Sequence, residues 1–384
     1  LLDAMADPSV ARPTGETALV IAARTGEPKV VMLLLGAGAN ADLKMGDRAQ
    51  TPLMWAAAEG HVEVVGVLLS VGADRDARTT FREVNAPYAH YVPDRKPMGR
   101  VEKDRSVISI LWPKDGDGDM RRYRGGMTPL LFAVETGHQD VVGILLDAGA
   151  SVDDPTPDGL TPLQLAQIRR HEALALFLLE QGADPNNAGP GFPPLHVASY
   201  LGQTAIAKDL IDRGAEVNAR LEKPYRLIEG LELGVNLYPG SGVFTNIGST
   251  PFMTAAKHGQ VDIMRMLLDA GADVNDRVSD GQSALVVAAA NANWEVADHL
   301  LDRGANPNLA EAGWNALHQT VRTRRMNFFF GTPGPIPSGT VDSIDVIRKM
   351  LAKGVDVNAR MTKNGMKDGQ RNRVNRLGAT PFFL

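Results

Sequence analysis

Apolar residues along this chain come as paired short runs, not as one continuous period. The first run of each pair is rich in small side chains, as in Leu53, Ala56 and Ala57, or Leu130, Ala133 and Val134. A glycine follows (Gly60, Gly137). The second run then carries a stripe such as Val64, Val65, Leu68 and Leu69, spaced i, i+1, i+4 and i+5 along one helix face. Gly72, Gly149, Gly182, Gly214, Gly271 and Gly304 close the second runs, where a helix ends in a left-handed residue. The pattern predicts helix–turn–helix units whose first helix, with a small-residue face, lies close against its neighbours.

A returning phrase opens the units: Thr51-Pro52-Leu53, Thr128-Pro129-Leu130, Thr161-Pro162-Leu163 and Thr250-Pro251-Phe252. Threonine caps a helix by accepting from an orphan backbone N–H, and proline fits the first turn, where no donor is needed. Thr128 to Thr161 spans 33 residues, as does Thr250 to Ser283. Self-similarity at this period resembles the ankyrin repeat. The resemblance implies an all-α fold, a solenoid of stacked helix-turn-helix units with inserted loops or hairpins, and a binding surface in place of an active site. Read this way, 1–384 is a single array with units at about 15–43, 47–78, 126–154, 158–186, 191–220, 248–277, 280–308 and 313–360. The fifth unit has Pro193 where others have the capping threonine, which predicts a weaker first turn. A partial ninth unit, 378–384, stops inside its first helix, so the chain reads as a piece of something longer.

Inserts interrupt the array at 79–125, 221–248, 327–339 and 361–377. Long structureless loops are uncommon in compact domains. These hold aromatic and strand-like stretches, including Trp112 in Val107–Trp112 and Phe328-Phe329-Phe330, which predicts partly ordered hairpins. Charge divides between inserts and repeats. The segments 79–125, 361–377 and 221–248 carry +3, +4 and −1, so with an overall −5 the remaining chain carries −11. Two basic loops on an acidic body either fold back onto it or help to steer an acidic partner.

No run of 18 apolar residues exists, so no membrane span is expected. Zero cysteines exclude disulfides and cysteine metal sites. The chain begins at Leu1, which leaves room for a removed leader. The compartment, cytoplasmic or exported, stays open with a slight lean to exported.

Candidate chemistry resolves into structure. Asp115-Gly116-Asp117-Gly118-Asp119 alternates carboxylates as a calcium loop does, but Met120 and Gly126 stand where glycine and glutamate are required. His171-Glu172 starts like a zinc-protease motif, yet Ala175 replaces the second histidine. His61, His138, His171, His196 and His318 fall at repeat positions, where they are expected to hydrogen-bond neighbouring backbone. Gly36-Ala37-Gly38 lacks the lysine of a phosphate loop. Arg121-Arg122-Tyr123-Arg124 raises nucleic acid, against which the acidic body argues. No catalytic residue, metal or cofactor is assigned.

In ankyrin-like proteins partners usually contact the concave face of the first helices and the loops between repeats. Two positions follow the small pair of each first helix and change from unit to unit. Among them and the inserts, the residues assigned to a partner are Arg24, Glu59, Glu135, Arg169, Tyr200, Lys257, His258, Asn291, Arg322 and Trp112. Tyr200 is the proposed anchor of a groove from Glu59 to Arg322. The expected role is a monomeric, non-catalytic scaffold for a protein partner. The alternative is an accessory recognition module of a larger enzyme or effector.

Overall fold

The computed structural model describes residues 7–13, 15–80, 125–157, 159–189, 191–221, 248–324, 339–363 and 376–384. Among them are sixteen α-helices and two isolated bridges, Met45 with Gln50 and Arg277 with Ser283. The fold is all-α. The predicted insert hairpins, including Trp112 and Phe328–Phe330, lie outside the described residues.

By its internal contacts the chain falls into two compact units, one reaching Asp184 and the other starting at Pro185, where the sequence pattern alone suggests one array. The first unit holds α1 (Ala18–Thr25), α2 (Pro28–Gly36), α3 (Pro52–Glu59), α4 (Val62–Ser70), α5 (Pro129–Thr136), α6 (Gln139–Asp147), α7 (Pro162–Ile168) and α8 (Glu172–Glu180). The second holds α9 (Pro194–Leu201), α10 (Thr204–Asp212), α11 (Pro251–His258), α12 (Val261–Asp269), α13 (Ala284–Ala290), α14 (Trp294–Asp302), α15 (Ala316–Arg324) and α16 (Ser343–Ala352). In the first unit the odd-numbered helices pack α1 on α3, α3 on α5 and α5 on α7, while α2, α4 and α6 form a second layer. In the second, α9, α11, α13 and α15 pack in order, as do α10, α12, α14 and α16. Residues 80–125 separate α3 from α5 in sequence, yet these helices pack directly, so the stack runs past the insert.

Local chemistry explains each helix pair. The hydroxyls of Thr17, Thr51, Thr128, Thr161, Thr250 and Ser283 accept from the backbone N–H three residues on, at 3.2 to 3.4 Å. Pro193 supplies no such cap to α9, as its sequence predicts. The turn between paired helices needs a left-handed residue. Gly137 takes φ 83°, and an added Cβ there would also meet the His171 ring at 2.8 Å. Glycine therefore serves twice, for its dihedral and for the close approach of the next repeat's histidine. Arg170 and Ala292 hold the same turn position at φ 63° and 55°, which costs a side chain about 1–2 kcal/mol.

Asx side chains tie one repeat to the next outside the core. Asp42 Oδ1 accepts from the Asp74 N–H at 2.8 Å, Asn186 Oδ1 from Glu216 at 2.7 Å, Asn275 Oδ1 from Asn306 at 2.8 Å and Asn308 Oδ1 from Asp356 at 2.7 Å. Each bond satisfies a loop donor that no helix reaches. Leu68, Leu145, Leu210 and Leu300, from the second helices, are fully buried within their units.

Truncating Leu68 or Leu145 to alanine is expected to cost about 2–5 kcal/mol through lost burial and a residual cavity. Glu59→Ala should stay within about 0.5 kcal/mol, as exposed substitutions do. Urea unfolding of the three variants checks the contrast, and equal losses would contradict the assignment of faces. Gly137→Ala should destabilise by at least about 1–2 kcal/mol, because the new methyl meets both an adverse φ and the His171 ring.

Candidate functional site

The first helices are largely buried, and several of them reach the surface only at their C-terminal ends. In α3 every residue from Pro52 to Ala58 is buried, and Glu59 emerges. The variable positions sit at that edge because the small pair before them (Ala56-Ala57, Ala133-Val134, Ala255-Ala256) is spent on packing.

In the first unit Arg24 hydrogen-bonds Glu16 Oε1 at 3.3 Å and lays its guanidinium over the Trp55 ring, 5.3 Å from the centroid. A cation over an indole face is attracted by the ring quadrupole. Trp55 is itself buried, and its Nε1–H has no hydrogen-bond partner among the described residues. The sequence reading missed Trp55. The signal was the aromatic residue four places after the cap in two repeats, Trp55 and Phe132, of which Phe132 is buried in full. Glu59 is exposed as expected, whereas Glu135 is 8% exposed and forms an ion pair with Arg169. Two residues assigned separately to a partner are thus engaged with each other.

In the second unit the Tyr200 ring is only 8% exposed and stands edge-on to His258, centroids 4.4 Å apart at 70°. Tyr200 packs on the next helix, and the groove anchor expected from sequence is mostly internal. Lys257 and Arg322 are half-buried at the ends of α11 and α15. Asn291 turns its Nδ2 back to the Val287 carbonyl at 2.8 Å. Trp112 lies outside the described residues.

The histidines reach across repeats to backbone oxygens. The Nε2 of His61 bonds Arg24 O at 2.9 Å, that of His171 Glu135 O at 3.1 Å, that of His196 Ser249 O at 3.0 Å, and that of His318 Ala379 O at 3.3 Å. Asn293, at the position of His61 in its repeat, does the same with Nδ2 to Ala256 O and Lys257 O at 3.1 and 2.7 Å. His61, His171 and Asn293 fasten the first-helix ends where the variable residues sit, whereas His196 and His318 bond the residue before the next helix cap. Burial lowers the His196 imidazole to about 4, opposed by its bond to Ser249. Burial also lowers His258 to about 4, helped by the adjacent Lys257 charge. No group of three or more His, Asp or Glu placed to hold a metal occurs among the described residues. No described helix is long and apolar enough to cross a membrane.

Comparison with known proteins agrees with this geometry. The family model for ankyrin repeats (three copies) matches residues 1–79, 101–189, 151–220, 227–311 and 252–328. The ankyrin repeat and KH domain-containing protein mask-1 of Caenorhabditis elegans is 30% identical over 193 residues, 47% of this chain and 7% of that protein. A putative ankyrin repeat protein of fowlpox virus is 32% identical over 174 residues, covering 44% of this chain and 34% of its own length. Among solved structures, the human ASB11 ankyrin repeat domain is similar with a TM-score of 0.49 and 22% identity, over 76% of this chain and 100% of that one. The chain spans about a third or less of these two curated relatives.

The two buried imidazoles set a pH response. Both are neutral in the folded second unit and take up protons on unfolding near their ordinary value of 6.5. Stability is expected in full above about pH 6.5, to fall as pH drops toward 4, and to level off below that. Each histidine contributes a slope of at most ~1.4 kcal/mol per pH unit. Urea unfolding between pH 7 and pH 4.5 measures the slope, and His258→Phe should reduce it.

Proposed function

The chain belongs to the ankyrin-repeat family, and we propose that it is a non-catalytic scaffold that binds a protein partner. Contact is made through the first-helix ends and inter-repeat turns of either unit. Repeats of this family are in general protein–protein interaction modules. The observation that carries the reading is a contrast inside the first helices. Their packing face is nearly constant, whereas the next two positions are spelled Arg24-Thr25, Ala58-Glu59, Glu135-Thr136, Ile168-Arg169, Tyr200-Leu201, Lys257-His258, Ala290-Asn291 and Arg322-Thr323. Residues that only fill a core vary in size, but these vary in charge and in hydrogen-bonding type. The histidine and Asx bonds hold them on a rigid base, which lowers the ordering cost of binding.

Burial refines the assignment. Glu59, Lys257 and Arg322 reach solvent and are the proposed contacts. Arg24, held over the buried Trp55 ring, offers a preorganised cation of a type enriched at interface hot spots. Glu135 in the first unit and Tyr200 in the second are mostly buried and are not assigned to the contact. A specific contact needs roughly 800 Å² per partner, within reach of four or five repeats. The second reading is a recognition module within a larger enzyme or effector. It is favoured by the small share of its relatives that the chain spans.

A partner captured on the immobilised chain and identified by mass spectrometry provides the test. Glu59→Lys, or Lys257→Glu with Arg322→Glu, should weaken its binding at least tenfold with unchanged thermal unfolding. Tyr200→Ala should lower the unfolding midpoint, because it removes a buried ring. Binding that survives all the charge reversals would move the interface away from the first helices. Turnover of any substrate by the purified chain would overturn the scaffold reading.

A further inference from the structure

Several turns that open a unit are closed by the same two backbone bonds. In three that carry no insert, Gly15 donates to Arg12 O at 2.8 Å, Gly159 to Thr156 O at 2.8 Å and Gly281 to Val278 O at 2.8 Å. The residue accepting from glycine donates in turn to the carbonyl just past it: Arg12 to Glu16 at 2.8 Å, Thr156 to Leu160 at 2.8 Å, Val278 to Gln282 at 3.1 Å. Two residues form the tip between them, as Ser279-Asp280 does.

The turns interrupted by long inserts keep both bonds. Gly126 donates to Thr79 O at 2.9 Å and Thr79 to Met127 O at 3.1 Å. Gly248 donates to Leu221 O at 2.7 Å and Leu221 to Ser249 O at 3.0 Å. Gly378 donates to Met361 O at 2.8 Å and Met361 to Ala379 O at 2.9 Å. In sequence, 80–125, 222–247 and 362–377 fall where these other turns have two residues.

The residue before each of these necks is an arginine that reaches across the mouth. Arg78 Nη1 donates to Gly126 O at 2.7 Å, Arg220 Nη1 to Gly248 O at 2.8 Å and Arg360 Nη1 to Gly378 O at 3.3 Å. Two of them also grip the following turn. Arg78 bonds Pro155 O at 3.3 Å and the Asp154 carboxylate, while Arg220 bonds Arg277 O at 3.2 Å and Asp276 Oδ1 at 2.6 Å. Ala11, Lys44, Pro155, Asn187 and Leu309 hold the same place before uninterrupted turns, and Arg277, the arginine that does so, pairs with Glu311.

Closing a longer loop costs more chain entropy, though the cost grows slowly with length. A turn that carries an insert therefore needs added bonds across its mouth, and a guanidinium can supply several at once in a fixed fork. We propose that Arg78, Arg220 and Arg360 close a common neck at which segments are grafted into the array. Each grafted segment can be cut back to a two-residue tip with the repeats intact. The sequence of an insert is thereby uncoupled from the folding of the repeats that flank it.

The test combines shortening with arginine removal. Residues 80–125 are replaced by Ser-Asp, the tip found before Gly281, in the wild-type and Arg78→Ala backgrounds, and residues 222–247 likewise with Arg220→Ala. Each shortened chain is expected to keep the helical circular-dichroism signal of its helices and a cooperative thermal transition. Arg78→Ala should lower the midpoint by roughly 2–4 °C in the full chain, and by less than half as much in the shortened one. Arg220→Ala should behave in the same way at its own neck. Loss of cooperative unfolding on shortening at either neck would overturn the proposal. So would an arginine effect of equal size in the full and shortened chains.

Discussion

A helix pair of eight and nine residues, such as α3 and α4, is too small to bury Leu53, Val64, Val65 and Leu68 within itself, so each pair depends on its neighbours for a core. That dependence explains the other constraints in the structure. First helices must approach closely, hence Ala56-Ala57 and Ala255-Ala256, both buried in full. Turns between helices must be narrow enough for the next repeat's side chain to lie over them, hence glycine under His171. Stability in such an array is approximately a sum of repeat and interface contributions, and damage remains local.

The same logic separates what holds the repeats from what is free to recognise a partner. Carbonyls at the ends of first helices are satisfied from the next repeat by histidine or asparagine, as with His61 on Arg24 and Asn293 on Lys257. The residues whose backbone is fixed in this way are those whose side chains vary. A rigid main chain with exchangeable side chains is a suitable base for binding. Burial lowers His196 and His258 to about 4, so both are neutral near pH 7.

Inserts fit this architecture because the turn tip contributes little to the stack. Direct packing of α3 on α5 and of α9 on α11 shows that these neighbouring repeats meet although 80–125 and 222–247 lie between them in sequence. The neck bonds at Gly126, Gly248 and Gly378 repeat those of turns that carry no insert.

Much of this was legible in the chain because it is written locally. Threonine caps, proline at the first turn, left-handed glycines and the i, i+1, i+4, i+5 stripe each specify a few residues' conformation, and together they specify helix pairs repeated at 33 residues. The fifth unit's missing cap was legible for the same reason. Only the tertiary structure decided which variable residues reach solvent. Glu135 looks like a surface residue in its own helix and is buried because Arg169, one repeat later, comes to lie beside it. Tyr200 looks like an anchor and is covered by His258 across an insert. The arginines before the inserts read as ordinary loop charges until the glycine carbonyls at the far ends of those inserts are seen to return to them. In each case the deciding partner lies 18 or more residues along the chain, and a local pattern cannot report which distant group the stacking brings into contact.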